Sequence, residues 1–337
     1  MNTHQITLQP YQGMSSRYTC PQCGHKHKFT RYIDVATGKH INDKVGRCDR
    51  EDDCGYHYKP KQFFTDHPVR ESQSHNWKLP EPKQLISSPV EYLPHTILEK
   101  SVLNHEQCNL YQFLFKLFRE KVAKQLCERY FIGTNKNGDT AFWQVDFKAK
   151  IRQVKIIRYN PSTGKRTKEK PPYFAGKRLI GKDDANLQMC FFGEHLLSQA
   201  ENTNKPVAIV ESEKTAVIAS VYYPAFVWLS TGGKHGCNWT QKSVCHVLEG
   251  RKVILFPDLG AYHCWSEKGS LLSKVAGCKV FIIDLLEKCA DENEKKGGLD
   301  IADYLLKKQD ESGLALTDRG YPVIWDYELN NSMPGLN

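Results

Sequence analysis

No stretch of this sequence approaches the ~20 apolar residues that a membrane-spanning helix needs. Residues Met1 to Pro10 lack the apolar core of a secretory signal. The chain therefore reads as cytoplasmic, with no membrane partner. It contains no Gly-x4-Gly-Lys-Ser/Thr loop, which excludes an attached nucleotide-driven motor. At 40% apolar and 25% charged residues, it is neither disordered nor collagen-like. Its 337 residues suggest two or three domains. Acid is scarce in one place: residues 147–182 carry 12 Lys/Arg against Glu169 alone, a balance of +11. Residues 183–337 are the reverse, at −6. A basic stretch beside an acidic one suits polyanion binding next to a carboxylate site; a solvated surface hairpin is the alternative.

Twelve cysteines are present. Without a secretory signal they are not a disulfide framework, because cytosolic thiols stay reduced. Eight are scattered and read as core or surface residues. The other four pair off as Cys20-Pro-Gln-Cys23 and as Cys48 and Cys54. Between the pairs, Arg31–Val35 and Val45–Arg47 flank Thr37-Gly38-Lys39, a hairpin with a glycine turn. Two thiolate knuckles joined by a hairpin make a zinc ribbon, with Cys20, Cys23, Cys48 and Cys54 as ligands of structural Zn2+. The second spacing is long, and His25, His27 and His57 are alternative donors. A closed four-thiolate site leaves no open position, so its role is folding.

Polar residues and prolines over 65–90 read as a linker. Asn104-His-Glu-Gln107 is a candidate capping box. Leu110, Phe113, Leu114, Leu117 and Phe118 then form one helix face, and Val122, Leu126 and Cys127 continue on a second helix that stops before Gly133. Ala141–Phe147 and Ile151–Tyr159 read as strands, followed by a turn at Asn160–Gly164. Arg152, Lys155 and Arg158, with Lys165, Arg166 and Lys168 past the turn, form a candidate track for single-stranded DNA or RNA.

From Val207 onward, apolar strands alternate with helical stretches: strands at 207–210, 226–229, 253–256 and 280–283. That rhythm implies a mostly parallel α/β sheet. Glu211 directly follows the first strand and Asp258 the third, so both fall at carboxyl ends, where such sheets bind ligands. Asp300 and Asp303 are acids able to approach the same edge. Carboxylates of this kind suit Mg2+ or Mn2+, which keep their waters and bridge to phosphates. Glu213 and Asp300 also fit as helix N-terminal acids.

Val207-Ala-Ile-Val-Glu211-Ser-Glu213-Lys214, Leu229-Ser-Thr-Gly-Gly233 and Ile254-Leu-Phe-Pro-Asp258-Leu-Gly260 together resemble a Toprim domain. That is the catalytic fold of bacterial-type primases, type IA and II topoisomerases and some nucleases. The front end resembles a zinc β-ribbon found with Toprim-like domains in Bacteroides-type proteins, often on mobile elements. The resemblance implies an order of zinc β-ribbon (1–64), linker (65–90), basic α+β region (91–203), Toprim-like α/β domain (204–310) and C-terminal extension (311–337). It makes Glu211 the Toprim glutamate and Asp258 the first acid of an Asp-x-Asp pair. Gly260 stands at the second acid and Ser212 at the glycine that usually follows the glutamate. No tyrosine among 16 stands out as a topoisomerase nucleophile. Three functions follow. One is a primase-like nucleotidyltransferase taking nucleotides, with Lys214 and Lys234 as phosphate contacts. Another is a non-catalytic DNA-binding accessory protein of replication or mobilisation. The third is a Toprim nuclease.

Overall fold

The computed structural model describes residues 6–35, 37–50, 54–67, 89–233, 236–291, 294 and 298–312. Most of the linker expected over 65–90, nearly all of the extension 311–337, and Lys234 lie outside the described residues. The chain divides into two units, residues 1–87 and 88–337. Among the described residues, no helix is long and apolar enough to cross a membrane.

The first unit is a small antiparallel sheet. Strands β1 (Ile6–Leu8), β2 (Phe29–Asp34), β3 (Gly46–Cys48) and β4 (His57–Tyr58) lie side by side in chain order. The glycine turn is present: Gly38 is left-handed and donates to the Asp34 carbonyl. Gly46 is required for space. A Cβ there would lie 2.3 Å from the Thr30 carbonyl and 2.5 Å from the Phe29 ring. The ring that excludes it is the centre of the unit's core. Phe29 packs with Cys20 and Cys48, all at or below 1% exposure, and with half-buried Tyr18 and Tyr56. So few apolar side chains do not hold a fold unaided. Helix α1 (Pro60–Asp66) follows, with Pro at its first turn.

The second unit begins with α2 (His95–Val102) and α3 (Asn109–Arg129). The two helices expected around Phe113 and Leu126 form one element, α3, broken between them at Arg119, where φ is 65°. The capping box expected at Asn104 does not form. Asn104 leads into a single 3-10 turn, and its side chain makes no capping hydrogen bond. An antiparallel sheet follows: β5 (Ile132–Thr134), β6 (Thr140–Val145), β7 (Ile151–Ile157) and β8 (Tyr173–Phe174), paired in that order. Its alternation sorts side chains into two cores. Phe142 and Ile157 face one, and Trp143, Val154 and Ile156 the other. Helix α4 (Gly176–Ile180) closes this region.

The α/β rhythm folds as its period requires. Strands β9 (Val207–Val210), β10 (Val227–Ser230), β11 (Lys252–Leu255) and β12 (Lys279–Ile282) form a parallel sheet in the order β10-β9-β11-β12. Helices α5 (Glu213–Tyr222), α6 (Lys242–Cys245), α7 (Tyr262–Ala276), α8 (Leu285–Cys289) and α9 (Ile301–Ser312) accompany it. Both faces are buried. Val207 and Ile209 enter the core shared with α3 and Phe142, while Ala208 and Val210 enter a second core with Trp228, Tyr304 and Leu305. The chain leaves β9 to one side for β10 and returns on the other for β11. The strand order therefore reverses between β9 and β11, and the carboxyl ends at such a switch point are where sheets of this kind bind ligands.

Candidate functional site

In the first unit, the four cysteines converge. Their sulfurs lie within 4.8 Å of one another, with Cys20 Sγ 3.7 Å from Cys54 Sγ and Cys23 Sγ 3.9 Å from Cys48 Sγ. A tetrahedral zinc with Zn–S bonds of ~2.3 Å sets its sulfurs ~3.8 Å apart. The donor set therefore fits Zn2+ in both chemistry and spacing. The hydrogen bond at the His25 backbone pulls the Cys23 thiol below its ordinary value, while burial pushes Cys48 up. Without a cation, four thiolates at this spacing would repel one another, and a divalent ion removes that cost. None of the three histidines belongs to the cluster. His25 contacts Arg50 and His57 contacts Tyr32.

In the second unit, Glu211 follows β9 and Asp258 follows β11, at the ends of adjacent strands where the order reverses. The Glu211 carbonyl is fixed by the Ser230–Gly233 loop: it accepts from Gly232 N, Gly233 N and Ser230 Oγ at 3.1, 2.8 and 3.0 Å. Next to Asp258, Leu259 N donates to the Leu299 carbonyl at 2.9 Å. That bond brings in the segment carrying Asp300 and Asp303. Burial, then Asp300, Glu211 and Asp303, push the Asp258 carboxyl up to about 8. Asp303 is raised by burial and Asp300, against Lys214 and Lys165, which pull it down. Four acids and two cations are thus in electrostatic contact.

The acids are not equally available. Asp300 caps α9: its Oδ1 accepts from Asp303 N at 2.9 Å, and its Oδ2 accepts from Thr215 Oγ1 at 2.6 Å. Among the described residues, the Asp258 carboxylate accepts no hydrogen bond. Gly260, at the second-acid position, has φ +84°, and its N–H donates to Glu287 Oε1 at 2.8 Å. Any side chain there would meet left-handed strain.

The cations divide into two groups. Lys155 Nζ is bound to both Glu213 oxygens, at 3.0 and 3.1 Å, and to the Gly232 carbonyl at 2.8 Å. This pair is nearly closed to solvent, at 12% and 2% side-chain exposure. Arg152 pairs with Asp146, and Arg158 with Asp139, which also takes Lys170. Burial would raise Asp139, but Lys170 and Arg158 hold it below its ordinary value. The three strand cations expected to form one exposed track are therefore each paired with a carboxylate of their own unit. Asp139 and Asp146 lie just upstream of the +11 window, and Glu213 lies far downstream. Lys165, Arg166 and Lys168 are exposed, past the turn capped by Asn160. That turn meets the acids, because Lys214 Nζ donates to the Gly164 carbonyl at 3.3 Å. Thr215 and Gln144 were not visible as site residues in the sequence. Gln144 is 1% exposed, and its amide has no partner among the described residues. It lies beneath Gly232, where a Cβ would be 3.5 Å from Nε2.

These features define a class: an α/β protein with a parallel sheet edged by carboxylates, carrying an N-terminal four-cysteine zinc ribbon. Residues 4–69 match the family model of a zinc beta-ribbon finger. Residues 108–259 match the model of a domain of unknown function, DUF6371. No curated protein matches the chain. Among solved structures, it is similar to the primase fragment of the bacteriophage T7 primase-helicase protein, at 16% identity and a TM-score of 0.37, covering 88% of this chain and 96% of that one. It is also similar to the E. coli primase catalytic core, at 11% identity and 0.39, covering 67% and 85%. The RNA polymerase domain of Mycobacterium tuberculosis primase matches at 9% and 0.43, covering 65% and 79%. Identities and scores this low assign no residue a role.

Proposed function

We propose that this chain is a nucleic-acid-binding protein of primase-like, Toprim type, with Glu211 and Asp258 as its central acids. One observation carries the reading. Asp258 sits at the switch point of a parallel sheet, where burial first, and then Asp300, Glu211 and Asp303, push its carboxyl up to about 8. A carboxyl that keeps its proton because of burial and neighbouring acids gives that proton up readily to a hard divalent cation, which supplies the missing positive charge. Glu211 and Asp258 would hold Mg2+ or Mn2+, with Asp303 beside them and Asp300 fixed as the helix cap. When bound, the cation would neutralise phosphate charge. The chain's own residues do the rest. The Ser230–Gly233 loop fixes Glu211, and Lys214 stands beside Asp303 at the basic turn. Lys165, Arg166 and Lys168 present free charge to a phosphate backbone.

The test is incubation of purified protein with single-stranded template, Mg2+ or Mn2+ and nucleotides, beside Glu211→Ala and Asp258→Ala. Primer formation lost in both variants is the expected result. Strand cleavage lost in both would replace primer synthesis with nuclease chemistry. Salt-sensitive binding without either activity would leave an accessory binding protein, a reading favoured by the left-handed glycine at position 260.

A further inference from the structure

A cavity lies at the β6–β7 turn, roughly 20 Å of strand away from the Gly164 turn. It has a volume of about 510 Å³. Arg152, Lys148 and Lys150 line it, together with the half-exposed aromatics Tyr92 and Phe147.

The site is built rather than incidental. Asp146 is 5% exposed, and all its capacity is turned inward. Its Oδ1 accepts from Lys148 N and Lys150 N, each at 2.9 Å, and its Oδ2 accepts from Arg152 Nε at 2.6 Å. That bond fixes the guanidinium, which also lies over the Tyr92 ring at 5.2 Å. Nε is committed to Asp146, and among the described residues neither terminal amino group of Arg152 makes a hydrogen bond. The ammonium groups of Lys148 and Lys150 likewise make no ion pair among the described residues. The other carboxylate at the cavity is Glu194, whose oxygens accept from Phe147 N and Phe191 N. Burial pushes it up to about 7, so near neutrality it carries only part of a negative charge. The cavity therefore presents an oriented fork of donors and two free cations, bordered by an exposed aromatic face. Fork-like guanidinium donors suit phosphate. A ring such as Phe147, 42% exposed, offers a stacking surface for a base.

We propose that this cavity binds a free nucleotide, its phosphates on Arg152, Lys148 and Lys150 and its base against Phe147. A cavity of about 510 Å³ has room for one nucleotide, and competition by an oligonucleotide separates that occupant from a strand. The site is independent of the reading proposed for Glu211 and Asp258.

The experiment measures ATP binding by equilibrium titration in the full chain carrying Asp258→Asn, which disables the acid site. Binding should persist there and fall at least tenfold when Lys148→Glu and Lys150→Glu are added. Both lysines are exposed, and thermal unfolding checks that the variant folds. Phe147→Ala should weaken ATP several-fold while leaving inorganic phosphate binding unchanged. ATP affinity that is unchanged by the lysine pair, or lost with Asp258→Asn alone, would overturn the proposal. So would displacement of ATP by a short oligothymidylate at concentrations below those at which ATP itself competes, because that result assigns the cavity to a strand.

Discussion

Asp258→Asn should stabilise the protein while abolishing its metal response. In the folded chain the carboxyl is raised from its ordinary value of 3.8 to about 8. The folded state therefore holds a proton that the unfolded state has already released. For an acid raised in this way, stability is fully present below about pH 4 and is lost as pH climbs toward about 8. The full difference corresponds to about 6 kcal/mol. Asp258 is not fully buried, and water reaching it weakens both the burial penalty and the repulsion, leaving about 2–3 kcal/mol. For a unit of this size that is roughly 4–12 °C in Tm. Asparagine keeps the shape and carries no charge. Thermal unfolding from pH 5 to pH 8 should show the wild type losing Tm and the variant holding it. Mg2+ should restore the wild type at pH 8 and leave the variant unmoved. Equal melting temperatures at pH 8, or equal Mg2+ shifts, would refute the crowding argument.

Other expectations follow from the same structure. Purified protein should contain one zinc per chain by metal analysis, and Cys48→Ser should lose it together with the ordered ribbon, as seen by circular dichroism and proteolysis, because Phe29 alone cannot hold that core. Lys155→Met leaves Glu213 buried and unpaired, at a cost of about 3–5 kcal/mol in denaturant unfolding. Pairing it with Glu213→Gln should recover much of that loss. Replacing Lys165, Arg166 and Lys168 by alanine should weaken single-strand binding and flatten its salt dependence, with a slope reduced by about 2. Binding with no salt dependence in the parent would exclude the phosphate track.

Much of the architecture was legible because it is written in local periods. Val207-Ala-Ile-Val210 reads as a strand buried on both faces, and its alternate residues do enter two different cores. Phe113 and Leu126 read as lying on two successive helices, and a break at Arg119 separates the two stretches. The Asn104 box was misread because a four-residue pattern cannot say whether a helix or a single turn follows it. The basic track was harder. Counting charge over 147–182 could not reveal that Asp139, Asp146 and Glu213 each face a cation in space.

The sequence by itself determined the cysteine knuckles, the parallel α/β rhythm and the place of Glu211 and Asp258 at strand ends. Each depends on residue spacing within one element or one turn. Only the tertiary structure decided which charges are spent and which are free. It turned Lys155 inward and tied Asp300 into a helix cap. It left Lys165, Arg166 and Lys168 exposed, and crowded Asp258 with three other acids. Electrostatic free energy depends on distance and burial, and both are set by residues far apart in the chain.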